Sequence, residues 1–135
     1  MDIVQAPFNI LDRRLEVSGW LDKLSQTGVE LHSRSVFLQG LLLQKKNQRN
    51  PYFNKWSDYF NKFNDWINDT KQTSLSATLN FSYSYEQINK VIVGVENKSQ
   101  LTEIITSISK SPQYPIPDEL IIDDPMLINP RNWKL

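Results

Sequence analysis

The chain has 135 residues, 15 basic and 15 acidic side chains, no cysteine and a single histidine, His32. These values predict one soluble, cytoplasmic domain, and they exclude disulfides, thiol catalysis and metal sites built from cysteines or several histidines. Because the net charge is zero and no apolar run approaches the roughly 18 residues of a membrane span, neither nucleic acid nor a membrane is an expected partner.

The first predicted unit is a strand, a helix and a second strand. Residues 2–6 are rich in β-branched side chains and are predicted to form a strand that ends at a proline. Ser18 is expected to cap a helix over residues 19–27, which Gly28 ends. Residues 29–36 begin with alternating apolar and polar side chains, which is typical of a strand with two different faces. The long connection between the strands suits a parallel, right-handed crossover.

A polar segment, residues 44–50, follows the second strand. Lys45, Lys46 and Arg49 form a small basic cluster within it. We expect a solvated loop here, and a phosphate site is the alternative that the sequence leaves open.

The clearest helical pattern covers residues 52–68, and Pro51 suits the first position of that helix. Large apolar side chains recur at spacings of three and four. They belong to Phe53, Trp56, Phe60, Phe63 and Ile67. Such a stripe is predicted to be core, where each buried side chain contributes roughly 1.5–3 kcal/mol. Thr73 or Ser74 is then expected to cap a second, shorter helix.

The last predicted strand, residues 91–93, is apolar throughout, which is the pattern of a strand buried on both faces. Gly94 bounds it. Asn97 is a good N-cap, and Gln100 completes a capping box for a helix over residues 98–109. Because N–H groups at a helix start attract phosphate, this turn is a candidate phosphate site, and an ordinary capped helix is the alternative.

The end of the chain differs in composition from the rest. The apolar face of the preceding helix is predicted to consist of Leu101, Ile104, Ile105 and Ile108. Residues 111–135 then hold five of the seven prolines. We expect them to form an extended tail that packs on a domain made by residues 1–110.

Three ordered motifs resemble the C-terminal half of the aldo/keto reductase family. They are VQAPFNILDRR at 4–14, RSVFLQGLLL at 34–43 and VIVGVENKSQLTEI at 91–104. The closing INPRNW at 128–133 is similar to the tails of some members. The resemblance implies an α/β fold, namely the C-terminal part of a TIM (β/α)8 barrel with its sixth, seventh and eighth strands parallel, their packed helices and the extended tail. A complete barrel typically needs about 250 residues, so the chain corresponds to less than half of one.

The resemblance also implies a reaction, the reduction of aldehydes and ketones by hydride transfer from NADPH or NADH. The family's catalytic tetrad of Asp, Tyr, Lys and His belongs to the part of the barrel that would precede residue 1. No catalytic residue is therefore assigned here, and His32 is interpreted as a packed or partly exposed strand residue. Whether the chain is an enzyme stays open, and we do not expect turnover by the chain alone.

Two residues match positions near the nicotinamide of NADP or NAD. Gln5 matches the position whose amide contacts the nicotinamide carboxamide, and a buried polar residue bonded to backbone is the alternative. Arg34 falls where many members stack an aromatic ring on the nicotinamide. A guanidinium plane can also stack on a flat ring. Otherwise, Arg34 is a salt-bridge residue at the barrel mouth.

Other residues match the phosphate and ribose positions. The loop from Ser35 to Gly40 would pass beside the pyrophosphate. Gly94, Asn97 and Gln100 would approach the adenosine ribose or 2′-phosphate. A carboxylate at position 96 would repel a 2′-phosphate, which leaves the choice between NADP and NAD open.

Two functions follow from these expectations. In the first, the chain is the cofactor-binding half of a carbonyl reductase and its partner is a separate or missing N-terminal half. In the second, the chain is a non-catalytic truncated barrel that binds another protein or a second copy of itself. The second rests on the two unpaired edges and the apolar faces that an open three-stranded sheet exposes.

Overall fold

The computed structural model describes residues 1–108 and 114–135 of the chain. Within them, one sheet has three parallel strands in the order β1-β2-β3. The strands are β1 (Ile3–Pro7), β2 (Glu30–Arg34) and β3 (Lys90–Val91). The predicted α/β class with three parallel strands is therefore confirmed.

Helices fill the connections between the strands and follow the last one. They are α1 (Arg14–Val17), α2 (Trp20–Gln26), α3 (Ser57–Asp69), α4 (Ser74–Tyr83), α5 (Lys98–Ile108) and α6 (Pro125–Ile128). Short 3₁₀ helices cover Leu41–Leu43, Lys46–Gln48, Pro51–Trp56, Asp118–Leu120 and Pro130–Asn132. In the two described parts of the chain, no helix has both the length and the apolar character needed to cross a membrane.

The strand register decides which side chains share a face. Gln5 lies opposite His32 and Pro7 lies opposite Arg34, while His32 also lies opposite Lys90. Because side chains alternate along a strand, all five belong to one face of the sheet. We call it the open face.

The other face of the sheet packs against the helices. Leu31 of β2 is 1% exposed and belongs to the main core cluster. The whole predicted stripe is buried in this same cluster, namely Phe53, Trp56, Phe60, Phe63 and Ile67. The stripe is therefore confirmed as core, although Pro51 begins a 3₁₀ helix that continues directly into α3.

Two helix boundaries that were predicted from single residues, at Thr73 and Gly28, are confirmed. Thr73 caps α4, since its Oγ1 accepts a hydrogen bond from the Ser76 N–H at 3.1 Å. Gly28 follows α2 with φ +72°. The expected cap at Ser18 is wrong: its hydroxyl donates to the Leu15 carbonyl at 3.3 Å because Ser18 ends the short helix α1, and α2 starts after Gly19.

Burial near β3 differs from the prediction. Ile92 is 39% exposed because it faces the open side of the sheet, while Val91 and Val93 pack toward the helices. Of the predicted apolar face of α5, Ile104 is buried, but Leu101 and Ile105 are 42% and 60% exposed. The predicted last residue of that helix, 109, lies outside the described residues.

The described tail, residues 114–135, follows a largely extended path interrupted by short helical turns. It is held by hydrogen bonds to aromatic side chains as well as by apolar contacts. The hydroxyl of Tyr59 donates to the Leu120 carbonyl at 2.6 Å, and the Trp133 indole N–H donates to the Leu127 carbonyl at 2.8 Å. Leu120 and Leu127 are fully buried in the main core cluster.

Candidate functional site

The predicted cofactor residues of β2 and β3 lie at one edge of the sheet. The two strands are adjacent and parallel, so their carboxyl ends lie side by side. Their pairing continues to Ile92, whose N–H donates to the Ser33 carbonyl at 2.8 Å. Arg34 is the last residue of β2, and Gly94 follows β3 closely. The fold thus brings together two segments that are about sixty residues apart in the chain.

The loop of residues 35–40, which follows β2, has an unusual backbone. Ser35, Leu38, Gln39 and Gly40 have φ values of 60°, 48°, 56° and 81°. For side chains other than glycine, this region costs of order 1–3 kcal/mol each and persists where the surroundings over-determine the conformation. Here Val36 and Leu38 are 2% and 1% exposed and anchor the loop in the core.

Asn9 connects the 35–40 loop to the loop after β1. Its side chain is fully buried, and its Nδ2 donates to the Ser35 carbonyl at 3.0 Å. Its Oδ1 accepts the N–H groups of Leu11 and Asp12 at 3.0 and 2.9 Å. Sequence reasoning did not single out Asn9, although a lone amide inside the apolar run FNIL is a signal of a buried hydrogen-bonding role.

Arg34 is exposed at this edge. Its carbonyl accepts the Phe8 N–H at 3.1 Å, which fixes the backbone of the β2 end. Within the described residues its guanidinium forms no ion pair, so its donors face solvent. The alternative of a salt-bridge residue finds no partner among them.

Gln5 is also exposed, on the open face of β1. The alternative prediction of a buried glutamine bonded to neighbouring backbone is therefore wrong, because nothing in the described structure covers this face of β1. By the register, Gln5 and Arg34 point to the same side of the sheet.

His32 is buried beside Gln5, and its side chain belongs to a polar cluster with Glu30 and Lys90. Its Nε2 lies 2.6 Å from Oε1 of Glu30, and Nζ of Lys90 lies 2.9 Å from the same oxygen. The hydrogen bond from His32, and after it the one from Lys90, holds the pKa of Glu30 below its usual range. The alternation in residues 29–32 predicted the shared face of Glu30 and His32, but it gave no sign of Lys90.

The start of α5 is capped as predicted, with one difference. Asn97 Oδ1 accepts the Gln100 N–H at 2.9 Å, and Gln100 Oε1 accepts the Glu96 N–H at 2.8 Å. In a capping box the Gln100 side chain would accept the N–H of the cap residue Asn97, whereas here it accepts the N–H of the residue before it. The remaining first-turn N–H groups, on Lys98 and Ser99, have no partner within a helix and lie at its positive end, which suits an anion.

The two glycines of the predicted site, Gly40 and Gly94, are suited to their positions for different structural reasons. Gly40 has φ +81°, a conformation that side chains rarely adopt. Gly94 has no positive φ, it is exposed, and a Cβ added to it would meet no atom within 4 Å. The space in front of Gly94 is therefore open to the close approach of a ligand.

These residues fit a dinucleotide. The edge offers a free guanidinium and a helix start, and the open face beside it offers an exposed amide. Together they suit a flat amide-bearing ring and a diphosphate. The site is an open surface: a cavity of about 360 Å³ near Arg13 and Tyr85 and another of about 280 Å³ near Arg49 both lie apart from Arg34 and Gly94. Across residues 1–108 and 114–135, no group of three acidic, histidine or cysteine side chains is placed to hold a metal ion.

The chain is similar to one protein family and to solved structures of known proteins. Residues 1–116 match the model of the aldo/keto reductase family. Among solved structures, the chain is similar to an aldo-keto reductase from Bacillus halodurans in its apo form, with a TM-score of 0.70 and 19% identity over 84% of this chain and 40% of that one. The holo form gives 0.67 and 18% over 84% and 39%. The chain thus spans about two fifths of the length of these structures. No curated protein matches.

Proposed function

Because the chain belongs to the aldo/keto reductase family, we propose that it is the cofactor-binding part of a cytoplasmic NAD(P)H-dependent carbonyl reductase. The observation that carries this proposal is the 35–40 loop, which Asn9 holds in a strained conformation beside the exposed guanidinium of Arg34. Strain of this kind clusters at ligand sites, and barrels bind their ligands at the carboxyl ends of the strands.

Each of the predicted site residues has a role toward the cofactor in this proposal. The Gln5 amide hydrogen-bonds the nicotinamide carboxamide, and the Arg34 guanidinium lies against the ring. The backbone from Ser35 to Gly40 holds the pyrophosphate. When bound, the nicotinamide supplies the hydride that reduces a carbonyl carbon. The chain's own contribution is to position that ring on the open face of the sheet.

The start of α5 holds the adenosine end. Gly94 permits close approach, and the N–H groups of the first turn, together with the side chains of Asn97 and Gln100, bind the ribose or its 2′-phosphate. Glu96 opposes a 2′-phosphate by charge. We expect Glu96→Gln to increase the affinity for NADPH relative to NADH, as measured by fluorescence titration of both. An unchanged ratio would place the 2′ position away from residue 96.

We propose that catalysis requires another part of the barrel. Residues 1–110 form the partial reductase domain in this proposal, and 111–135 form the tail that packs on it. The chain spans two fifths of the solved reductases, which supports a catalytic tetrad that lies outside the residues described here. The purified chain is therefore expected to leave NADPH unoxidised with a panel of aldehydes. Turnover that survives a second purification would contradict this.

Cofactor binding by the chain alone is tested by titrating NADPH fluorescence. Arg34→Ala should weaken binding at least tenfold, about 1.4 kcal/mol, because it removes the cation at the edge. Arg131→Ala is the matched control, since Arg131 is an exposed arginine of the tail that forms no ion pair within the described residues. Equal affinities of wild type and Arg34→Ala would show that the proposed site is wrong.

Self-association is the second candidate function, and the open face favours it. Ile3 is 51% and Ile92 is 39% exposed on this face, and the outer edges of β1 and β3 are unpaired in the described sheet. Exposed apolar side chains next to free strand edges promote association with another protein or a second copy. Light scattering coupled to size-exclusion chromatography should show a dimer or larger species. A monomer that unfolds cooperatively would argue against this function.

A further inference from the structure

A pocket of about 280 Å³ lies beside the 35–40 loop, in the polar segment that follows β2. We call it the Arg49 pocket. Besides Arg49, its walls include Gln39, Gln44, Gln48, Asn50, Phe53 and Trp133. Its size is close to the lower end of the range of roughly 300–1,000 Å³ that is typical of small-molecule sites.

Arg49 is a partly buried cation without a counter-charge. Its guanidinium lies 4.0 Å from the centre of the Phe60 ring, and its Nη2 donates to the Gln44 carbonyl at 3.0 Å. Its Nε is buried and has no partner. Desolvation lowers the pKa of Arg49, and no carboxylate in the described parts of the chain pairs with it. Four of the five N–H donors of a guanidinium are thus unused.

Two other arginines, the partly buried Arg13 and the exposed Arg14, form ion pairs. Arg13 forms a two-pronged ion pair with Glu16, at 2.6 and 3.0 Å. Arg14 forms another with Asp12, at 2.8 Å for both bonds. A charge that is withdrawn from water costs free energy unless it is paired, so an anion bound beside Arg49 would lower that cost.

Two of the amides around Arg49 use their side-chain oxygens in hydrogen bonds to the backbone. Gln48 Oε1 accepts the Lys45 N–H at 2.9 Å, and Asn50 Oδ1 accepts the Tyr52 N–H at 2.9 Å. Because both oxygens are occupied, each side chain offers its NH₂ group to a ligand. Two such NH₂ groups next to a cation favour an oxyanion.

We infer that the Arg49 pocket binds the phosphate group of a small organic phosphate monoester. Arg49 and the amides of Gln48 and Asn50 hold the phosphate oxygens. The organic part lies against the rings of Phe53 and Trp133, whose centres are 4.9 Å apart. Of the basic cluster in the sequence, Lys45 and Lys46 are exposed as expected for a solvated loop, and Arg49 takes the alternative role.

Calorimetric titration of the full chain tests the ligand class. At constant ionic strength, phenyl phosphate should bind, inorganic phosphate should bind at least fivefold more weakly, and phenol should give no signal. Absence of phenyl phosphate binding at millimolar concentration overturns the inference, and so does equal binding of phenol.

Paired variants test the site. Arg49→Gln should weaken phenyl phosphate binding at least tenfold, while Lys46→Gln, which removes the same charge from an exposed neighbour, should change it less than twofold. Arg49→Lys should also lose affinity, because an ammonium lacks the planar fork. Equal losses in Arg49→Gln and Lys46→Gln would mean screening by net charge, and would overturn the site.

Two further measurements test the inference independently of whether Arg49→Gln folds. If Arg49→Gln does not fold, the side-chain NH₂ resonances of Gln48 and Asn50 in the wild type should still shift on phenyl phosphate addition, and unchanged resonances would overturn the inference. Arg34→Ala should bind phenyl phosphate like the wild type. A shared loss in that variant would place the phosphate in the proposed cofactor site and refute a separate pocket, whereas a failure to bind NADPH leaves this result unaffected.

Discussion

Removal of the Asn9 side chain is the most direct test of how the edge of the sheet is organised. Asn9→Ala eliminates three hydrogen bonds, one to the Ser35 carbonyl and two from the N–H groups of Leu11 and Asp12. A net value of about 1 kcal/mol for each predicts a loss of about 3 kcal/mol, since all three partners are left without their bond at a fully buried site.

This loss is large compared with the total stability of a small domain, roughly 5–15 kcal/mol. It corresponds to a fall in Tm of about 10 °C at roughly 3–4 °C per kcal/mol. Urea unfolding followed by tryptophan fluorescence gives the free energy of unfolding. Asn61→Ala is the control, because Asn61 is exposed on α3, and this change should alter stability by no more than about 0.5 kcal/mol.

The same variant connects stability with binding. When the Ser35 carbonyl loses its donor, the strained 35–40 loop loses one of the contacts that hold it, so NADPH affinity should fall together with stability. A cost below about 1 kcal/mol for Asn9→Ala would refute the view that Asn9 holds this loop.

Four more substitutions have expected outcomes. Gly40→Ala should destabilise the chain by about 1–2 kcal/mol in urea unfolding, because the φ of Gly40 is +81°. Gly94→Ala should leave stability unchanged but weaken NADPH binding. Equal stability costs of the two substitutions would contradict the different roles given to the two glycines. Tyr59→Phe should lower the free energy of unfolding by about 1 kcal/mol, because the hydrogen bond to the tail is lost. Because burial raises the pKa of Tyr59, the variant should show the same change in tyrosine absorbance between pH 9 and 12 as the wild type. A smaller change in the variant would show that the hydroxyl of Tyr59 is accessible. The hydrogen bond from the Trp56 indole, and after it the one from the Met126 N–H, lowers the pKa of Asp124. The contribution of Asp124 to the free energy of unfolding is therefore present above the unfolded pKa of about 3.9 and is lost as pH falls through the lower folded value. Asp124→Asn should flatten the acid limb of a plot of stability against pH, and an unchanged limb would refute this role of Asp124.

Local patterns predicted the elements well. The 3–4 spacing of aromatic side chains located α3 and its buried stripe, since an amphipathic helix must bury the side that carries them. Thr73, Asn97 and Gly28 marked helix ends because their effect acts within a turn of the backbone. Even there, Ser18 was assigned to the wrong helix, because α1 is too short to show a periodic pattern.

Burial was predicted less well. Ile92 and Ile105 have side chains typical of a core, yet both are exposed, because burial depends on which neighbouring element covers a face. The opposite happened at Arg49, a residue of a polar segment that the fold places over the Phe60 ring. Neither outcome is encoded in the spacing of residues near these positions.

The sequence by itself determined the α/β class, the three parallel strands and the segments that meet at their carboxyl ends, because periodicity, caps and motif order are properties of the chain. The tertiary structure decided the shape of the site. Leu38 and Gln39 adopt positive φ because the burial of the loop side chains and the bond from Asn9 outweigh the local preference of the backbone. That balance combines contacts from segments distant in sequence, and it exists only after the chain has folded.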